Sequence, residues 1–215
     1  MIFAFLMYGL FERGRFLASK LLDASVEAII SNVGLVVAFV GSLFIYSEPL
    51  TLQKIAGTIL VIISLILVSL GHKIGKISIK GIFVAITIYA FIGVGWMLDK
   101  WGALHFTPNI YNLFGWIIPL FFIYFPYVKN KELAYEAKRS SWKLGLMAAI
   151  NVIGYYLQLR AFTTGQAIVV IPLVQTFMLT TVLFGIVLLG ERDNIGRKIF
   201  AAIIGFAGAV LLVTG

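Results

Sequence analysis

Apolar positions in this chain come in long, nearly unbroken runs, and the short stretches between them hold most of the charge. Runs close to the about 20 residues that a membrane-crossing helix needs lie at 26–46, 52–70, 79–98, 110–128, 144–161, 167–189 and 195–213. A weaker eighth occupies 1–19. The breaks carry turn and charge chemistry: Ser47-Glu48-Pro49, Gly71-His72-Lys73, Thr107-Pro108-Asn109 and Gly190-Glu191-Arg192-Asp193. The longest polar stretch, 129–143, reads as one connector flanked by the interfacial rings of Tyr127 and Trp142. No strand-type alternation recurs, which excludes an outer-membrane barrel. The pattern predicts an all-α integral membrane protein of about eight transmembrane helices.

Composition narrows this further. Hydrophobic residues fill 61% of the 215 positions and charged ones only 12%, about half of what a water-facing surface requires. Cysteine is absent, so neither a disulfide framework nor a thiolate metal site enters. The apolar start precedes Glu12, Arg13 and Arg15 rather than following basic residues, the reverse of a secretory signal. The net charge of +8 lies between the apolar runs and forms no stripe, so nucleic-acid binding is not expected. If successive helices alternate sides, one side collects twelve basic residues and the other only Lys54, Lys100 and Arg160. The positive-inside rule puts the richer side in the cytoplasm.

An internal repeat organises the runs. The segment 24–71 resembles the segment 167–215: a long apolar helix, a small residue and Glu (Ser47-Glu48, Gly190-Glu191), a polar turn, a basic-apolar entry (Lys54-Ile55, Lys198-Ile199) and a second apolar helix ending at Gly. Five helices separate equivalent points, and an odd number inverts the second copy relative to the first. Inverted repeats are a recurring plan of secondary transporters, which bind substrate where the repeats meet. The expected units are 1–75, an incomplete three-helix copy, and 76–215, a five-helix copy. The first copy lacks two helices, as expected of a truncated or mis-started ten-helix protein or of a shortened variant.

The hairpin Ser47-Glu48-Pro49-Leu50-Thr51-Leu52 running to Ile55-Ala56-Gly57, its partner Leu189-Gly190-Glu191 running to Gly208 and Gly215, and Pro172-Leu173 early in the seventh run resemble the EamA-like branch of the drug/metabolite transporter superfamily. The resemblance implies inverted five-helix repeats and transport, often export, of small metabolites. It also implies that the loop after the penultimate helix lies outside, whereas the basic-residue count places Arg192–Lys198 inside, so orientation stands open.

Polar groups inside apolar runs are the candidate site, because hydrocarbon offers them no partner. Glu12 and Arg15 are three apart on one helical face and can pair. Asn32 aligns with Gln175 at the repeat offset of 143, which places two amides at equivalent positions on opposite walls of a cavity. In the sixth run Asn151, Tyr155, Tyr156 and Gln158 align with the Glu12–Arg15 region, and Tyr89, Trp96, Asn112 and Trp116 add rings and an amide. The substrate-binding residues expected are Asn32, Gln175, Glu12, Arg15, Asn151, Tyr155 and Trp96. Such a polar-aromatic lining suits a neutral or zwitterionic organic molecule. Gly34, Ala38 and Ser42 on one helix, and Ala201, Gly205 and Ala209 on another, form small-residue faces for close packing. Glu48 and Glu191 read as hairpin-tip carboxylates facing the positive end of the following helix.

No HExxH, paired midplane aspartates or serine nucleophile turn appears, and His72, His105, Asp23, Asp99 and Asp193 all fall in connectors or at helix ends. An enzyme is therefore not expected, and neither a cofactor nor a metal. The expected function is secondary transport, in the export direction, of a small organic metabolite across the cell membrane by a multi-pass protein. Its partners would be that substrate, the lipid bilayer and, as an open option, a second copy of the chain. The rival reading is a truncated membrane protein with a structural or assembly role and no transport.

The cytoplasmic assignment of the 129–143 loop can be checked directly because the chain has no cysteine. A Ser140→Cys variant should resist a membrane-impermeant maleimide in intact cells and react after permeabilisation; labelling in intact cells would reverse the orientation.

Overall fold

A backbone in hydrocarbon has to satisfy its own hydrogen bonds, and a helix does so within one segment. The computed structural model describes residues 2–22, 24–69, 78–125, 128–177, 179–180, 184 and 194–215, and no strand occurs among them. The helices are α1 (Ile2–Leu21), α2 (Ala24–Ile30), α3 (Asn32–Tyr46), α4 (Leu52–Ser69), α5 (Ile79–His105), α6 (Pro108–Tyr124), α7 (Asn130–Arg139), α8 (Trp142–Thr164), α9 (Ala167–Gln175) and α10 (Ile195–Thr214). Among the described residues three stretches, Val26–Tyr46, Ile79–His105 and Ile195–Thr214, are long and apolar enough to cross a membrane. The outward surface is studded with Phe44, Phe83, Phe121, Met147 and Phe206, all exposed; a face so apolar is made for lipid.

The helix ends follow local chemistry. Ser78 caps α5 by accepting from the Gly81 N–H at 3.1 Å, and Pro108 opens α6, where its missing N–H costs nothing. Ser47 ends α3 in the left-handed conformation (φ 48°), which turns the chain sharply ahead of Glu48-Pro49. The core is shared: Phe5, Leu35, Val61, Tyr111, Phe162, Ile171 and Leu212, from α1, α3, α4, α6, α8, α9 and α10, are buried in one cluster.

The α4–α10 seam is built from the small residues. Gly57 and Gly208 face each other so closely that a Cβ on either would lie 2.8 Å from the other's carbonyl oxygen. Seven residues further along α4, the Ser64 hydroxyl donates to the Ala201 carbonyl at 2.6 Å. Adding 144 converts Gly57 into Ala201 and Ser64 into Gly208, so one contact maps onto the other when the helices are exchanged. On α10 the buried face is Ala201, Gly205 and Gly208; Ala209, expected on that face, is only half-buried.

Several expectations are refined. The run 26–46 is one membrane-length stretch with a single turn residue at Ser31, where the hydroxyl donates to the Ala28 carbonyl (2.7 Å) and the Asn32 amide donates to Ala28 (3.2 Å) and Ile29 (3.0 Å). Side chains that bond carbonyls of the preceding turn bend a helix. The fourth run does not stop at residue 98 but continues to His105, which puts Asp99 inside a helix instead of at its end. The polar connector contains α7, with Glu132 in its first turn and Lys138 and Arg139 in its last, the order the helix dipole favours. The seventh run is described as helix over Ala167–Gln175; most of its remainder, with Glu191 and its hairpin, lies outside the described residues, as do Asp23, His72 and Asp193.

Gly208→Leu should overfill the α4–α10 seam and destabilise the fold by about 1–3 kcal/mol, read as a lower melting temperature in detergent. A Cβ at Gly145 meets nothing within 4 Å, so Gly145→Leu should leave the melting temperature unchanged.

Candidate functional site

Two buried carboxylates anchor the bundle, and consecutive residues of α5 take part in both anchors. Asp99 is fully buried. Its carboxylate accepts from three tyrosine hydroxyls on three helices: Tyr8 of α1 on Oδ2, and Tyr111 of α6 (3.2 Å) and Tyr155 of α8 (2.9 Å) on Oδ1. Hydrogen bonds to a charged group contribute roughly 1.5–3 kcal/mol each, the scale needed to hold a carboxylate out of water. Gly102, nearly one turn beyond Asp99, makes the approach possible: a Cβ there would sit 2.0 Å from the Tyr111 ring.

The next residue, Lys100, pairs with Glu48 of the α3–α4 turn and donates to the Gly165 carbonyl at 3.2 Å. Glu48 in turn accepts from the backbone N–H of Ala167 (2.7 Å) and Ile168 (2.9 Å). It is therefore a structural carboxylate at a helix start, but the helix it caps is α9, not the α4 that follows it in sequence. Gln166, at the N-cap position, makes no side-chain cap of its own, and Glu48 satisfies these donors from across the fold. Tyr46 closes the same corner, its hydroxyl donating to the Met97 carbonyl (2.7 Å) and accepting from the Trp101 N–H (3.0 Å).

Beside Asp99 lies a cavity of about 400 Å³, walled by α1, α5, α6 and α8. Tyr8, Glu12, Arg15, Trp96, Trp116, Tyr155 and Gln158 supply its polar and aromatic lining. Glu12 and Arg15 pair as expected, at 2.9 Å, with the side chains 31% and 47% exposed, so the pair contributes at most about 1 kcal/mol to stability. Trp116 stands edge-on to Tyr155, ring centroids 6.2 Å apart, and donates its indole N–H to Asn112 at 2.9 Å. A smaller cavity of about 150 Å³ shares Ile92 and Trp96 with the first and is lined by Asn32 and Gln175.

Of the residues expected at the site, Glu12, Arg15, Trp96 and Tyr155 thus come together on the larger cavity, and Asn32 and Gln175 on the smaller. Asn151 does not join them: its side chain is exposed and its amide donates to Met147 at 2.8 Å. Three pairs separated by 143 residues, Glu12 with Tyr155, Arg15 with Gln158 and Asn32 with Gln175, all line these two spaces. Glu27 is held by Tyr89 (3.0 Å) and Ser19 (2.8 Å), linking α1, α2 and α5. Sequence reasoning missed Asp99 and Lys100. An acidic residue with three tyrosines on separate apolar runs was the available signal, but only the fold brings them together.

The sequence model of the EamA-like transporter family matches residues 79–214. A solved protein crystal structure superposes with a TM-score of 0.77 at 14% identity, covering 99% of this chain and 76% of its own. It therefore bears on the fold alone. No curated protein matches the chain.

Glu48→Ala should strand Lys100 and two backbone donors together and lower stability by about 3–5 kcal/mol, as breaking a buried pair does. Lys100→Met leaves the carboxylate its two N–H donors and should be milder. Thermal melts of both variants in the same detergent check the order.

Proposed function

The chain belongs to the EamA-like transporter family, and on that premise we propose that it is a secondary carrier that exports a small organic metabolite across the cell membrane. It is read as a multi-pass protein of about eight membrane helices, with 1–75 and 76–215 as two inverted repeats of unequal length. The observation that carries the reading is the pair of adjoining cavities lined by offset-related residues, because inverted-repeat carriers bind where their repeats meet. The exchange of the Gly57–Gly208 contact for the Ser64–Ala201 contact under the 144-residue shift supports the same plan.

The lining defines the substrate by chemistry. Rings of Tyr8, Trp96, Trp116 and Tyr155 offer apolar walls, while Gln158, Gln175 and the half-exposed Glu12–Arg15 pair offer donors and acceptors of both signs. A molecule with an apolar body and a zwitterionic or polar head fits such a set. A cavity of about 400 Å³ lies within the range of small-molecule sites. The two amides play unequal parts. The Asn32 amide nitrogen donates to two α2 carbonyls, so Asn32 ties α2 to α3 as well as lining the smaller space.

Proteoliposome flux measured across amino acids, nucleosides and sugars tests the reading. Gln175→Ala should lower flux of the accepted substrate about tenfold, the value of one good hydrogen bond, with little loss of thermal stability. Asn32→Ala should lower both. No flux for any of these classes, with the protein folded, would favour a structural role.

A further inference from the structure

We propose that Asp99, together with the hydroxyls of Tyr8, Tyr111 and Tyr155, is a proton-binding site that opens on the larger cavity through Tyr8 and Tyr155. The carrier reading bears on what the proton would drive, not on whether it binds here.

The argument is geometric. Asp99 is fully buried, yet two of its three hydroxyl partners, Tyr8 and Tyr155, belong to residues that also line the cavity, so one side chain on each of two helices touches both carboxylate and cavity. Several charged groups around Asp99 are held by other partners. Lys100, next on α5, is held by Glu48; Glu12 and Arg15 pair on α1; Glu27 of α2 is bound by Tyr89 and Ser19. Tyr46 at the end of α3 is engaged with the α5 backbone, Arg160 of α8 is exposed, and α9 has no ionisable residue. Asp99 is therefore the carboxylate whose neighbours are all hydroxyls, groups that can turn from donor to acceptor.

The step balances without another reactant. A hydronium ion in the cavity gives its proton to the Tyr8 oxygen as the Tyr8 hydroxyl proton passes to Oδ2. Two O–H bonds break, in hydronium and in Tyr8, and two form, on Tyr8 and on Oδ2, leaving water, a neutral tyrosine and a protonated carboxyl. Oδ2 then donates, so Tyr8 has to accept rather than donate or else leave. The link between α1 and α5 changes while Tyr111 and Tyr155 keep Oδ1. Because α1 also carries Glu12 and Arg15, proton occupancy and the shape of the substrate cavity are tied together. A carrier built this way exchanges substrate for protons.

Infrared difference spectra of the full-length protein, with isotope-labelled aspartate, read the site without any substrate. Lowering the pH should raise a protonated-carboxyl band that is absent in Asp99→Asn. Asp23→Asn and Asp193→Asn, introduced together, should leave the band in place, which decides the assignment even if Asp99→Asn fails to fold. Tyr155→Phe should move the band to higher frequency, because the carbonyl has lost a donor, and Trp116 emission should follow the same titration. If no aspartate band titrates between about pH 4, where a free side chain does, and about pH 9, the proposal is wrong. So too if the band ignores Tyr155→Phe. Flux that persists in that case would leave the carrier reading standing.

Discussion

Hydrocarbon offers no hydrogen-bond partner, and that single constraint organises the interior of this bundle. A polar side chain inside an apolar helix must find its partner on another helix or in a cavity, because an unsatisfied group costs several kcal/mol. Charge raises the stakes, and here it is concentrated at two consecutive positions of α5. Asp99 draws hydroxyls from α1, α6 and α8, while Lys100 draws the α3–α4 turn and the start of α9 through Glu48. Residues one apart on a helix point about 100° away from each other, so the two anchors gather different neighbours. Together they link α5 to most of the bundle within one turn.

The apolar packing has a different logic. Lipid tails are as apolar as leucine, so helices gain little by hiding leucine from lipid and associate instead where backbones approach closely. The Gly57–Gly208 contact and the Ser64–Ala201 bond do this for α4 and α10. This pair differs in chemistry from the anchored helices, though it shares their core: α4 and α10 contribute small residues and buried aliphatics such as Val61 and Leu212, whereas α1, α5, α6 and α8 contribute the polar network and the larger cavity.

Much of this was legible in the sequence, for identifiable reasons. Run length locates the helices because the membrane fixes it, and the offset of 143 relates Asn32 to Gln175 and the Glu12–Arg15 region to Tyr155 and Gln158, residues that line the two cavities. Asp99 was not legible. Hydropathy ends the fourth run at the first charged residue, and a one-dimensional average cannot know that three hydroxyls from residues 8, 111 and 155 neutralise the cost. Glu48 was read as a cap for the next helix because dipole arguments are local, while the donors it satisfies lie more than a hundred residues away. The turn residue at Ser31 comes with back-bonding by Ser31 and Asn32, side chains that an apolar window averages away. Asn151 shows the converse error: the offset pairs it with Tyr8, but its amide bonds its own helix and faces outward.

That last asymmetry bears on how the two halves differ in work. If the repeat were exact in chemistry as well as in path, position 151 would reach inward as Tyr8 does, and the cavity would carry matching groups on both sides. Instead the pairs are complementary: a carboxylate opposite a phenol at 12 and 155, a guanidinium opposite an amide at 15 and 158. On the carrier reading proposed above, the 12/15 wall brings formal charges and the 155/158 wall brings neutral groups that can donate or accept in either orientation. On that reading a bound molecule would be oriented by the charged wall and need only polar contacts from the neutral one. The inward tyrosine on the charged side and the outward asparagine on the neutral side agree with this division, since Tyr8 joins Asp99 to the α1 wall where the charge lies.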